Sequence, residues 1–267
     1  MRFEAPETLD GAVALLKGEA GLARPLAGGT DLLVQLRAGM VEPDLVVDLK
    51  RIPALRQITA VDGGFRIGAA VSGAELGEHE GLKAAWPGVV EATELIGSTQ
   101  IQGRASLGGN LCNASPAADS VPAMIAAGAT VTVAGPQGER EVPVEDIVTG
   151  PGKTSLARDE IVVAVNLPPR PARSGDAYLR FIPRTEMDIA VVGAGVSLSL
   201  DDGGLCSHAR VALGAVAATP LLVPEAADAL IGTAVDEAAL TKLADAVSAA
   251  CRPIDDKRGT KVYRIKV

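Results

Sequence analysis

Ala105-Ser106-Leu107-Gly108-Gly109-Asn110-Leu111 sets two adjacent glycines between a hydroxyl and an amide side chain. The same chemistry stands earlier in the chain, at Leu26-Ala27-Gly28-Gly29-Thr30-Asp31. A glycine pair lets the backbone take positive φ and come close to a ligand, and successive bare N–H groups form a concave site for an anion. Two such loops can hold a diphosphate from both sides without a lysine. A dinucleotide is the expected ligand. Residues 31–40 read as a helix, with Leu32, Leu33 and Leu36 at 3–4 spacing. Its N-terminal dipole would point at whatever the first loop holds.

Composition limits the alternatives. A chain of 267 residues buries about three quarters of its unfolded surface, enough for a core in one domain or two. The net charge of −8 disfavours non-specific binding to nucleic acid or anionic membranes. No apolar run approaches the ~18 residues of a membrane helix, and Met1-Arg2-Phe3-Glu4-Ala5-Pro6 has no signal-peptide core. A soluble, cytoplasmic protein is expected. Cys112, Cys206 and Cys251 are far apart, and His79 and His208 are isolated. No metal site, disulfide framework or Cys–His relay is therefore expected, and redox chemistry would need an organic cofactor.

Outward from the glycine pairs, helix signals cover Thr8 to Gly21, Leu82 to Ile96 with a kink at Pro87, and Asp119 to Gly128. Strand signals lie at 45–49, 65–69, 130–133, 160–165, 191–200 and 209–213. Asp202-Gly203-Gly204 reads as a turn, and Asp236 as the cap of an amphipathic final helix with Leu240, Leu243, Val247 and Cys251 on one face. Pro168 to Gly175 is the clearest linker. Strands and helices mix without regular alternation, so the expected class is α+β with a boundary near residue 170. Gly193-Ala194-Gly195 is not a Rossmann fingerprint, because an alternating strand pattern follows it where a helix is required. Gly152-Lys153-Thr154 lacks the earlier glycine of a Walker loop.

The two glycine pairs, with Asn113-Ala114-Ser115-Pro116-Ala117-Ala118-Asp119-Ser120, Gly150 to Thr154, Asp159-Glu160-Ile161, Arg184 to Ala190 and Gly259 to Arg264, resemble the FAD-binding medium subunit of molybdenum hydroxylases. That family contains aerobic carbon monoxide dehydrogenase and xanthine dehydrogenase. The resemblance implies an α+β chain: a two-part FAD-binding domain of the vanillyl-alcohol-oxidase (PCMH) type over 1–170, split near 55, then a small α+β carbon monoxide dehydrogenase flavoprotein-like C-terminal domain over 171–267. It also implies a longer C-terminal segment than the one ending at Val267. The implied activity is oxidoreductase: FAD in this chain takes electrons from [2Fe–2S] clusters and passes them to an external acceptor. The implied partners are a small iron–sulfur subunit and a large molybdopterin subunit carrying the molybdenum cofactor, as a dimer of heterotrimers. A self-contained FAD-dependent oxidoreductase acting on a small molecule is the alternative.

Carried over position by position, the resemblance puts Ala27, Gly28, Gly29, Thr30 and Asp31, flanked by Leu26 and Leu32, and Ser106, Leu107, Gly108, Gly109 and Asn110 at the diphosphate and ribityl groups. Asp119 is implied at FAD hydroxyls, Val162 against the ring system or adenine, Arg180 near the flavin, and Arg184 with Asp188 in a loop beside the ring. Met187 stands where some xanthine dehydrogenases carry an acid. No residue of this chain is expected to be catalytic or to bind metal. Plainer readings stand beside these: Asp119 as a helix cap, Asn110 as a left-handed residue, Cys112 as a buried apolar filler and Trp86 as packing.

Overall fold

Valine-rich Leu45–Asp48 becomes the middle strand of a small parallel sheet because its Leu45, Val46 and Val47 are all buried. The computed structural model, which describes residues 1–184 and 187–267, places β1 (Arg2–Glu4), α1 (Leu9–Gly18), β2 (Ala23–Leu26), α2 (Leu32–Arg37) and β3 (Leu45–Asp48) in succession. Both β1 and β2 pair parallel to β3. Thr8 caps α1 by accepting from the Gly11 N–H, and α1 buries Ala12, Val13 and Leu16. The helix read over 31–40 is shorter, and none of its residues is fully buried.

A second, antiparallel sheet follows. β4 (Ile58–Val61) and β5 (Gly64–Gly68) form a hairpin. A helical stretch then runs through α3 (Gly73–Gly77), α4 (Glu80–Ala85), α5 (Pro87–Glu94), α6 (Thr99–Gln102), α7 (Leu107–Asn113) and α8 (Ser120–Ala126). The chain returns through β6 (Thr130–Gly135) and β7 (Gly138–Pro143), a two-stranded ribbon of β8 (Val148–Gly150) and β9 (Lys153–Thr154), and β10 (Ile161–Leu167). The sheet order is β4-β5-β10-β6-β7. β10 is central, which explains its nearly unbroken apolar run.

The single helix expected over 82–96 is two. Trp86 leaves the helical region at φ −133°, ψ 65°, and Pro87 opens α5, where its missing N–H costs nothing. Trp86 is buried and its indole N–H donates to the Pro168 carbonyl at 3.0 Å, while the Arg170 guanidinium lies 4.6 Å from the ring centroid. Arg170 also pairs with Asp176 at 2.5 Å, and Asp176 accepts from the Gly88 N–H at 2.8 Å. The expected linker is thus pinned from both ends. Trp86→Phe, which keeps the ring but removes the donor, is expected to lower stability by about 1–2 kcal/mol in chemical denaturation, since it strands a carbonyl.

A third sheet, β11 (Ser174–Phe181), β12 (Val192–Leu200), β13 (Cys206–Gly214) and β14 (Leu221–Leu222), is antiparallel throughout. α9 (Pro224–Asp228), α10 (Glu237–Ala250) and α11 (Lys261–Lys266) complete the chain. The linker expected to reach Gly175 ends early, because Ser174 already pairs with Ser199. Asp236 caps α10 by accepting from the Ala239 N–H at 3.0 Å. Gly193 and Gly195 sit in β12, not in a nucleotide loop. A Cβ on Gly195 would lie 2.6 Å from the Pro122 carbonyl, and one on Gly193 would lie 2.4 Å from the Tyr178 hydroxyl. α8 is buried at every residue, held between α5 and α7 on one side and β12 and β13 of the third sheet on the other.

Candidate functional site

A cavity of about 680 Å³ is walled by residues of the first two sheets and their connections, and both glycine pairs line it. Gly29 takes φ +82°, as a loop glycine should. Gly28 is required for a different reason: a Cβ there would meet the Arg104 carbonyl oxygen at 1.9 Å. The first pair therefore packs directly on the segment that leads into the second. A Cβ on Gly109 would lie 3.9 Å from the Ala27 Cβ, so the two pairs meet.

The second pair is not a loop. Ser106 caps α7 by accepting from the Gly109 N–H at 3.1 Å, and Leu107, Gly108 and Gly109 form its first turn. Gly108 is buried against Ala69, where a Cβ would come within 2.6 Å of the Ala69 side chain. Asn110 is helical, not left-handed, and its side-chain oxygen accepts from the Ser120 hydroxyl at 2.7 Å.

The donors matter most. The main-chain N–H groups of Gly28, Gly29, Thr30 and Asp31 donate to no protein acceptor among the described residues, although all four residues line the cavity. Four successive unpaired amides beside the first turn of α7 make a concave, positively polarised surface. Gly28, Gly29 and Thr30 are half-buried and Asp31 is exposed, so these donors take their acceptor from outside the chain. No lysine lines the cavity, and its one carboxylate in this bend, Asp31, is pushed up by burial.

Leu26, Ala27, Leu32, Ser106, Gly108, Asn110 and Val162 line the same cavity. Sequence reading did not single out Gln35, Ile96, Leu156 or Arg158, which also line it; Asn113, the first residue of the motif that runs to Ser120, and Gly152 and Thr154, in the failed Walker-like stretch, do too. Gln35 donates to Asn113 at 3.2 Å, joining α2 to α7. Cys112 is not the buried filler expected: it opens onto the cavity, where surrounding protein pushes its thiol up to about 12, so no thiolate forms at neutral pH.

Leu107, Asp119, Arg180 and Arg184 do not line it. Leu107 is buried in the main core. Asp119 makes no cap hydrogen bond. Its carboxylate accepts from the Tyr178 hydroxyl at 2.9 Å and from Arg180 at 3.0 Å, and Arg180 also donates to the Leu95 carbonyl at 2.8 Å. This buried cluster stands one residue behind the cavity on two sides, through Ile96 and through the Ser120–Asn110 contact. Burial pushes the Asp119 carboxyl up, against the pull of Arg180 and Tyr178. Arg184 is exposed and paired with Asp188 at 2.9 Å. Thr185 and Glu186, within the Arg184–Ala190 motif, lie outside the described residues. Among the described residues no group of three His, Cys, Asp or Glu is placed to hold a metal ion, and no helix is long and apolar enough to cross a membrane.

Comparison with known proteins agrees with this geometry. A family model described as the FAD binding domain in molybdopterin dehydrogenase matches residues 1–170, and one described as the CO dehydrogenase flavoprotein C-terminal domain matches residues 177–267. The chain is 34% identical to a putative xanthine dehydrogenase FAD-binding subunit of Escherichia coli K12, over 98% of this chain and 90% of that one. It is 34% identical to the carbon monoxide dehydrogenase medium chain of Afipia carboxidovorans, over 99% and 91% of the two chains. A solved structure of carbon monoxide dehydrogenase from Hydrogenophaga pseudoflava superimposes with a TM-score of 0.95 at 33% identity, covering 100% of this chain and 92% of that one.

Proposed function

The chain belongs to the family of FAD-binding subunits of molybdopterin dehydrogenases, and from that premise we propose that it is the electron-transferring flavoprotein subunit of a multi-subunit molybdenum hydroxylase. The observation that carries this reading is the row of unpaired amides from Gly28 to Asp31 facing the start of α7 across one cavity. It fits a pyrophosphate held by main-chain donors, and a cavity of about 680 Å³ leaves room for groups on either side. When bound, FAD supplies a ring that accepts electrons singly and releases them in pairs.

The residues of this chain bind and orient. Ala27 to Asp31, with Leu26 and Leu32 beside them, and Ser106 to Asn110 would hold the diphosphate and ribityl groups, Leu107 acting by packing α7 into the core. Val162 would give an apolar wall to the adenine. Arg180, fixed by Asp119 and the Leu95 carbonyl, would set a positive charge at the ring end, where it favours a reduced, negatively charged ring. Arg184 and its partner Asp188 would flank the ring from outside. The cavity lining contains neither His nor Tyr, which speaks against a self-contained enzyme needing a general acid or base.

Relatives named as medium chains and FAD subunits support a small iron–sulfur subunit and a large molybdopterin subunit as partners. [2Fe–2S] clusters and the molybdenum cofactor would then lie outside this chain, in a cytoplasmic dimer of heterotrimers. The flavin-binding part would span 1–170, with its two subdomains meeting near 55, and the C-terminal domain 171–267. Purified chain titrated with FAD is expected to acquire flavin absorbance and quench flavin fluorescence. A colourless protein indifferent to added FAD would reject the reading.

A further inference from the structure

Arg158 bridges the two halves of the cavity wall. It lies in the loop before β10, is exposed, and lines the cavity together with Gly21. Its Nη2 donates to the carbonyls of Glu19 at 2.7 Å and Gly21 at 2.6 Å, with that of Ala20 at 3.4 Å. Those carbonyls belong to the turn between α1 and β2, so one side chain ties the second sheet's segment to the first. The backbone on either side of Arg158 is fixed independently. Glu160 accepts twice from Arg140, at 2.9 Å each, and once from the Ala157 N–H at 2.8 Å.

A guanidinium bound only to carbonyls has no ion-pair partner to hold it. It can leave them for water at modest cost while its loop stays in place. Its Nε and Nη1 donate to no protein acceptor among the described residues. Leu22, Leu156, Ile161 and Val162 give the cavity apolar surface, and of the charged residues that line it with Arg158, Glu160 is already paired with Arg140. Arg180 and Asp119 lie instead behind Ile96 and Asn110. An uncharged aromatic base suits the Arg158 end, where a guanidinium can also lie over its face.

We propose that Arg158 is a clasp that closes over the adenosine half of the bound cofactor, slows its release, and favours FAD over FMN. The clasp rests on the FAD reading above and adds a residue to it. The test uses the full chain with Arg158→Ala and Arg158→Lys. Release of FAD, followed by recovery of flavin fluorescence after the loaded chain is diluted into flavin-free buffer, is expected to be roughly 10- to 100-fold faster in Arg158→Ala and intermediate in Arg158→Lys. FMN affinity and the midpoint potential of the bound flavin are expected to stay at wild-type values, because neither involves the adenosine end. Wild-type chain that takes up no FAD would overturn the flavin reading itself. Wild-type chain that binds FAD, with variants that release it at the wild-type rate or lose FMN and FAD equally, would overturn the clasp alone.

Discussion

Valine at position 109 is expected to give a folded protein that takes up no flavin. Gly109 is half-buried, and a Cβ there meets no backbone from outside its own helix, coming to 3.1 Å from the Ser106 hydroxyl and 3.9 Å from the Ala27 Cβ. The two further methyls of valine would fill the gap between the glycine pairs, where the diphosphate is to sit. FAD affinity should fall at least 100-fold, about 3 kcal/mol, with the apo melting temperature little changed. Gly28→Ala is the contrast: its Cβ would strike the Arg104 carbonyl, a backbone atom that cannot give way, and so should destabilise the fold itself. Each pair thus divides its work, Gly28 and Gly108 for chain packing, Gly29 and Gly109 for the cavity. A Gly109→Val protein that titrates with FAD like wild type would remove the diphosphate from this position.

Asp119→Ala is expected to cost about 3–5 kcal/mol of folding stability. The side chains of Arg180 and Asp119 are only 6% and 10% exposed, so removing the carboxylate leaves a buried guanidinium with one carbonyl partner and a buried Tyr178 hydroxyl with none. Asp119→Leu combined with Arg180→Met removes both charges, and should recover part of the loss because no uncompensated ion remains. Urea unfolding of the single and double variants measures both. A loss below 1 kcal/mol for Asp119→Ala would show that water already reaches the pair.

Where a signal is local, the sequence carried it. The Val/Ile runs of β3, β6 and β10 stand between turn residues and became strands, and Asp236 caps α10 as its type and position suggest. The meeting of the two glycine pairs was legible from their chemistry alone. Their conformation was not: glycine argues against helix, yet Ser106 caps the first turn of α7 and contact with Ala69 favours a residue without a side chain. β11 went unread: its first two residues fell in the apparent linker, and the rest, Asp176 to Phe181, gains its place by pairing with β12. Tyr178 and Arg158 gave no sequence signal because their partners are distant: a carboxylate 59 residues away for the first, and carbonyls 137 to 139 residues away for the second.

α8 has a consequence for how such chains can be recombined. Pro122 faces Gly195 and Gly214 so closely that neither glycine tolerates a side chain, while Val121, Ala123, Met124, Ile125 and Ala126 belong to the main core, which is built chiefly from the flavin-bearing half. The seam between the two halves is therefore a keyed joint with the key on one side and its slot on the other. A chimera joining the front of this chain to the back of a relative would inherit a mismatched key unless both glycines came with it.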